Sequence, residues 1–93
     1  MFYWIAKNNG MHLTKYRSAE SLSVAKKDAK SYIDRELGEG IATIYEISLL
    51  PGEKILPPIE SMRMGEFSYR LRPIVTLRKD ISTGFKWEVC DVI

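Results

Sequence analysis

Apolar residues fall at alternate positions in several short stretches of this chain and at helical spacing in one. "FYWIAK" (2–7) is aromatic and β-branched, with Phe2, Trp4 and Ala6 on one side and Tyr3 and Ile5 on the other. Apolar residues on both faces predict an interior strand covered on both sides, or one whose second face meets a partner. Asn8-Asn9-Gly10 is a tight-turn signal, because Asn and Gly tolerate positive φ. "MHLTKYR" (11–17) is then expected to return as the second strand of a hairpin.

The one helical pattern is "SAESLSVAKKDAKSYIDRELG" (18–38). Leu22, Ala25, Ala29, Tyr32, Ile33 and Leu37 share one side at a spacing of three and four. Glu20, Lys27, Asp28, Ser31, Asp34 and Arg35 take the other. Ser18 is the expected N-cap and Gly38 the expected left-handed stop. The alanines are small enough to let the helix lie close on a sheet. Lys30 and Asp34 are four apart and are expected to pair, worth a few tenths of a kcal/mol at most. Val24 does not fit the apolar side.

"GIATIYEISLL" (40–50) carries Ile41, Thr43, Tyr45, Ile47 and Leu49 on one face and Ala42, Ile44 and Leu50 on the other, so it is expected to be a central strand. A long loop over 51–66 follows, bounded by Pro51-Gly52 and interrupted by Pro57-Pro58, with a short edge strand around Lys54–Leu56 as a further candidate. "FSYRLRPIVTLR" (67–78) and "GFKWEVCDVI" (84–93) finish the chain as two strands joined by a turn. Pro73 predicts that the first of these is an edge strand or carries a bulge. Strict alternation puts Arg70, Arg72 and Arg78 in one row, with Lys86 on the paired strand. The same alternation turns Tyr69, Phe85 and Trp87 inward.

The element order is therefore β-β-α-β-β-β. One helix on one face of a curved antiparallel sheet of about five strands satisfies it, an α+β fold in a single domain spanning 1–93. A single helix covers about three strands, which leaves the far face of the outer strands, and the arginine row, open.

Composition changes this picture little. Of 93 residues, 45% are hydrophobic and 28% charged, an ordinary globular balance. The net charge of +2 is too small to argue for nucleic acid by itself. Its distribution matters more: residues 63–79 hold Arg63, Arg70, Arg72, Arg78 and Lys79 against one acid, Glu66. The single cysteine, Cys90, fits a reducing, cytoplasmic setting better than a disulfide framework. The opening apolar run is shorter than a signal peptide requires, and no window approaches a membrane span.

Chemistry-bearing constellations are absent from the sequence. One histidine, His12, and one cysteine do not make a nucleophile pair with an orienting group, and they fall short of a zinc ligand set. Cys90 is expected to be a small buried hydrophobe. Gly38-Glu39-Gly40 precedes a strand and so is not a phosphate loop, which needs a helix behind it. No catalytic residue, metal or cofactor is expected.

The positive signal is the arginine stripe, since guanidinium forks suit carboxylate and phosphate. Together with Met62 and Met64 in the long loop, it predicts a small non-enzymatic regulatory module. Arg63, Arg70, Arg72, Arg78 and Lys86 would meet a protein partner with an acidic surface, and the loop would supply buried anchors. Nucleic acid bound by the same stripe is the second expectation, and a homodimer through the sheet a third. In general type, a short motif-free α+β chain resembles many small bacterial or bacteriophage accessory proteins.

Overall fold

The structure, a computed structural model, describes residues 2–8, 14–47, 51–52 and 71–92. Along the chain come β1 (Phe2–Lys7), β2 (Thr14–Ala19), α1 (Leu22–Tyr32), a π-helical turn (Ile33–Leu37), β3 (Gly40–Ile47), β4 (Leu71–Lys79), a 3-10 turn (Ile81–Thr83) and β5 (Glu88–Asp91). The strands form one antiparallel sheet in the order β2-β1-β3-β4-β5. This is the expected α+β class, with β3 in the centre. His12, Met62, Arg63, Met64 and Arg70, and most of the 51–66 loop with its candidate strand, lie outside the described residues.

Side chains of β1 and β3 alternate between two apolar clusters, which is why neither strand shows a polar face. Trp4, Ala6, Ala42, Ile44, Val75 and Leu77 are buried beneath Ala25, Ala29 and Ile33 of the helical segment. On the other face of the sheet, Tyr3, Ile47 and Leu71 are buried, with Ile5 and Tyr45 packed against them. The helix lies over β1, β3 and β2, and the buried alanines at Ala25 and Ala29 make that close approach possible.

The helix starts later than the sequence suggests. Ser18 sits in β2 opposite Tyr3, and Ser21 is the N-cap, its hydroxyl accepting from the Val24 N–H at 3.2 Å. Val24 is 44% exposed, which resolves its misfit with the apolar side. Gly38 ends the π-helical turn at φ +76, its N–H donating to the Ile33 carbonyl. Lys30 and Asp34 do not pair. The Asp34 carboxylate accepts from Lys79 Nζ at 2.7 Å, tying the turn to β4. Lys30 instead lies 5.8 Å from the Trp87 ring, and Lys79 lies 5.7 Å from the same ring.

β4 is flanked on both sides from Val75 to Arg78, and Pro73 lies beyond its pairing with β5, next to a bulge in the β3–β4 ladder. Ile44 faces Val75, yet the next residue, Tyr45, faces Pro73, so Ile74 is left without a partner on β3. Proline has no N–H to give to a ladder, so a strand holds it most readily beside such an irregularity and outside a second ladder.

At the other end of the sheet, β3 begins at Gly40, where β1 comes very close. A Cβ built on Gly40 would stand 2.6 Å from the Lys7 carbonyl oxygen, at a φ of +158. Both sides of that contact are backbone and have little room to give. Gly40→Ala is expected to destabilise the fold by about 2 kcal/mol. Urea unfolding checks this, and an unchanged midpoint would contradict the β1–β3 approach.

Candidate functional site

The expected arginine row does not exist as one face. Register places Arg78 opposite Ile41, on the side of the sheet away from the helix, and Arg72 opposite Glu46, on the helix side. The reason is the unpaired residue at Ile74: one extra residue in β4 reverses which way the side chains before it point. Arg70 lies outside the described residues.

Each of the two described arginines also has an acidic partner. Arg72 Nη2 donates to Glu46 Oε1 at 3.3 Å, with both side chains largely in water, so the pair adds little. Arg78 Nε donates to Asp80 Oδ2 at 2.8 Å. That hydrogen bond and the Asp80 charge raise the guanidinium pKa further, so Arg78 stays cationic at any relevant pH.

Asp80 is the organising residue of this end of the molecule. It is 2% exposed, and its Oδ1 accepts from Ser82 N at 2.9 Å, Ser82 Oγ at 2.5 Å and Thr83 N at 3.3 Å. In return Thr83 Oγ1 accepts from the Asp80 N–H at 3.1 Å, a reciprocal capping box. The turn then passes Gly84, at φ +67, and Phe85, the one non-glycine residue at positive φ among those described (φ +57). The Phe85 N–H donates to the Asp80 carbonyl at 2.8 Å, which holds it there.

This geometry overturns the expected inward Phe85. Residues 84–87 are not in a strand, so alternation does not govern them. Trp87 is partly buried against the helix-side core as expected, whereas Phe85 is 53% exposed and Ile81 81%. Val89 and Val92 are exposed too. Four of the five large exposed apolar residues found among those described thus belong to the terminal hairpin, along the β5 edge of the sheet. Lys86, exposed, precedes β5 and faces no arginine across a strand.

A second concentration of chemistry escaped the linear reading. Lys15 and Arg17, two apart on β2, share a face. Lys27, Ser31 and Arg35 recur every fourth residue along the helical segment. Together they line a groove of about 410 Å³ at the opposite edge of the sheet from β5, with Trp4 and Tyr32 contributing to its wall. The two spacings, period two and period four, were visible in the sequence. Their meeting was not, because it depends on where the helix crosses β2.

Among the described residues, no group of three or more His, Cys, Asp or Glu side chains is placed to hold a metal, and no helix is long and apolar enough to cross a membrane. Comparison with protein-family models, curated proteins and solved structures finds no match to this chain.

Cys90 is exposed, contrary to expectation, because β5 is a short edge strand. Its Sγ lies 3.6 Å from Glu88 Oε1. Partial desolvation, and then the Glu88 carboxylate, push the thiol pKa up, so less of it is thiolate at a given pH. That is the reverse of nucleophile activation. Alkylation by iodoacetamide is expected to be slow at pH 8 and to speed up only at higher pH. Glu88→Gln is expected to move that rise to lower pH, and an unchanged pH profile would show that Glu88 does not act on the thiol.

Proposed function

We propose that this chain is a non-catalytic protein-binding module that docks through its terminal β4–β5 hairpin onto a partner with an acidic surface and modulates that partner by occupying it. The observation that carries this reading is Phe85. A phenylalanine in left-handed backbone is strained by about 1 kcal/mol, and the ring gains little burial in return. Such strain persists where the surroundings impose it, and here the Asp80 capping box imposes it. Its product is an aromatic ring held out at the hairpin tip beside Ile81.

An exposed aromatic and an exposed aliphatic residue on a rigid turn are the usual form of an interface anchor. Val89 and Val92 extend the apolar surface along the edge strand. Lys86, exposed between Phe85 and the edge strand, would steer an acidic partner, acting mainly on the association rate, whereas Arg78 is already paired with Asp80.

The test is capture from the native host with three forms of the chain: wild type, Ile81→Ser/Phe85→Asn, and Lys86→Glu. Asn tolerates the left-handed conformation, so the double variant keeps its fold. Retention of a partner is expected to fall at least tenfold in the double variant. Lys86→Glu is expected to slow association without abolishing it. A partner retained equally by all three forms would remove the hairpin from the account. Capture of nucleic acid, released steeply by salt, would replace the protein partner with the alternative ligand of the same cations.

A further inference from the structure

The groove between β2 and the helical segment lies at the edge of the sheet remote from the hairpin, and nothing in the docking reading uses it. Four cations reach it: Lys15 and Arg17 from β2, Lys27 and Arg35 from the helical segment. Asp28 and Glu36 also line it, which leaves a surplus of two positive charges. Among the described residues, none of these six forms an ion pair within 4.0 Å. Arg35 Nε donates to the Ser31 carbonyl at 3.4 Å, which leaves its two terminal amino groups and the other three cations for a ligand.

The second observation is Trp4. It lines the same groove and is 1% exposed, and its indole Nε1–H has no hydrogen-bond partner among the described residues. A buried donor left unsatisfied is costly and uncommon in folded proteins. The Trp4 ring packs against Tyr32, with ring centroids 5.8 Å apart, within the helix-side core. Lys15, Arg17, Lys27 and Arg35, long and flexible, line the same groove, and their displacement by a ligand would open the buried N–H to an acceptor oxygen.

We propose that this groove binds a small phosphate monoester, its phosphate held by Arg17 and Arg35 with Lys15 and Lys27 around it and an oxygen accepting from the Trp4 indole. Two guanidinium forks and a surplus of two charges match a phosphate dianion better than a monocarboxylate. The volume lies in the range of small-molecule sites and exceeds what a bare phosphate ion fills, which leaves room for the organic part. Ser31 and Tyr32 supply hydroxyl groups for that part.

The test is titration of the full chain with adenosine 5′-monophosphate, glucose 6-phosphate, adenosine and inorganic phosphate, followed by proton–nitrogen NMR. The chain has two tryptophans, so Trp87→Phe assigns the Trp4 indole resonance. At least one monoester is expected to move that resonance saturably, adenosine not at all, and inorganic phosphate at least tenfold more weakly. Arg17→Gln/Arg35→Gln is expected to weaken binding at least tenfold. Lys15→Gln/Lys27→Gln provides a second reading if the first variant folds poorly. Absence of any saturable shift overturns the site, as does a shift of equal affinity in both variants. Equal affinity for inorganic phosphate overturns the monoester assignment. The Ile81→Ser/Phe85→Asn variant is expected to bind the monoester normally, so this site and the docking surface fail or stand separately.

Discussion

One unpaired residue in β4 governs the surface chemistry of this protein. Between Gly40 and Ile44, β3 meets β4 without interruption from Lys79 back to Val75; beyond Ile44 the pairing is displaced by one. The displacement sends Leu71 to the face it shares with Tyr3 and Ile47, where all three are buried. The same displacement sends Arg72 to the helix side, beside Glu46. Had the ladder run on unbroken, Leu71 would have faced the helix side and Arg72 the other. Burial of a leucine is worth far more than any exposed ion pair, so the second apolar cluster, and not the arginines, holds the register.

That second cluster also explains the strands with two apolar faces. β1 and β3 bury side chains on both sides of the sheet, and the single helix covers only one of them. The two ends of the sheet then differ in kind. At the β5 edge, Asp80 gathers the turn around its carboxylate and leaves Ile81 and Phe85 outside. At the β2 edge, cations from a strand and a helix line one groove together with a buried indole. The first end carries exposed apolar side chains, on which the docking proposal rests; the second is polar and concave, on which the ligand proposal rests.

Much of the architecture was legible in the residue pattern. The helix side defined by Ala25, Ala29 and Ile33, the central position of 40–47 and the β-β-α-β-β-β order all rest on periodicity, which burial enforces over many residues at once. Pro73 announced its irregularity, but a proline alone does not say whether the strand is an edge or bulged. Alternation carried through Pro73 fails once one residue is skipped, and so it does not place Arg72 and Arg78 on one face. Alternation does not place Phe85 either, because the Asp80 capping box, a local hydrogen-bond device, takes residues 81–87 out of the strand pattern. Ser18 was displaced as N-cap by pairing of β2 with β1, a tertiary contact that a local signal does not contain.

The most direct test of this account is the β3–β4 register in solution, read from cross-strand proton contacts by NMR. The account predicts that Ile44 faces Val75, Tyr45 faces Pro73 and Ile47 faces Leu71, with Ile74 facing no residue of β3. Contacts between Tyr45 and Ile74 and between Ile47 and Arg72 would contradict it and return Arg72 to the same face as Arg78.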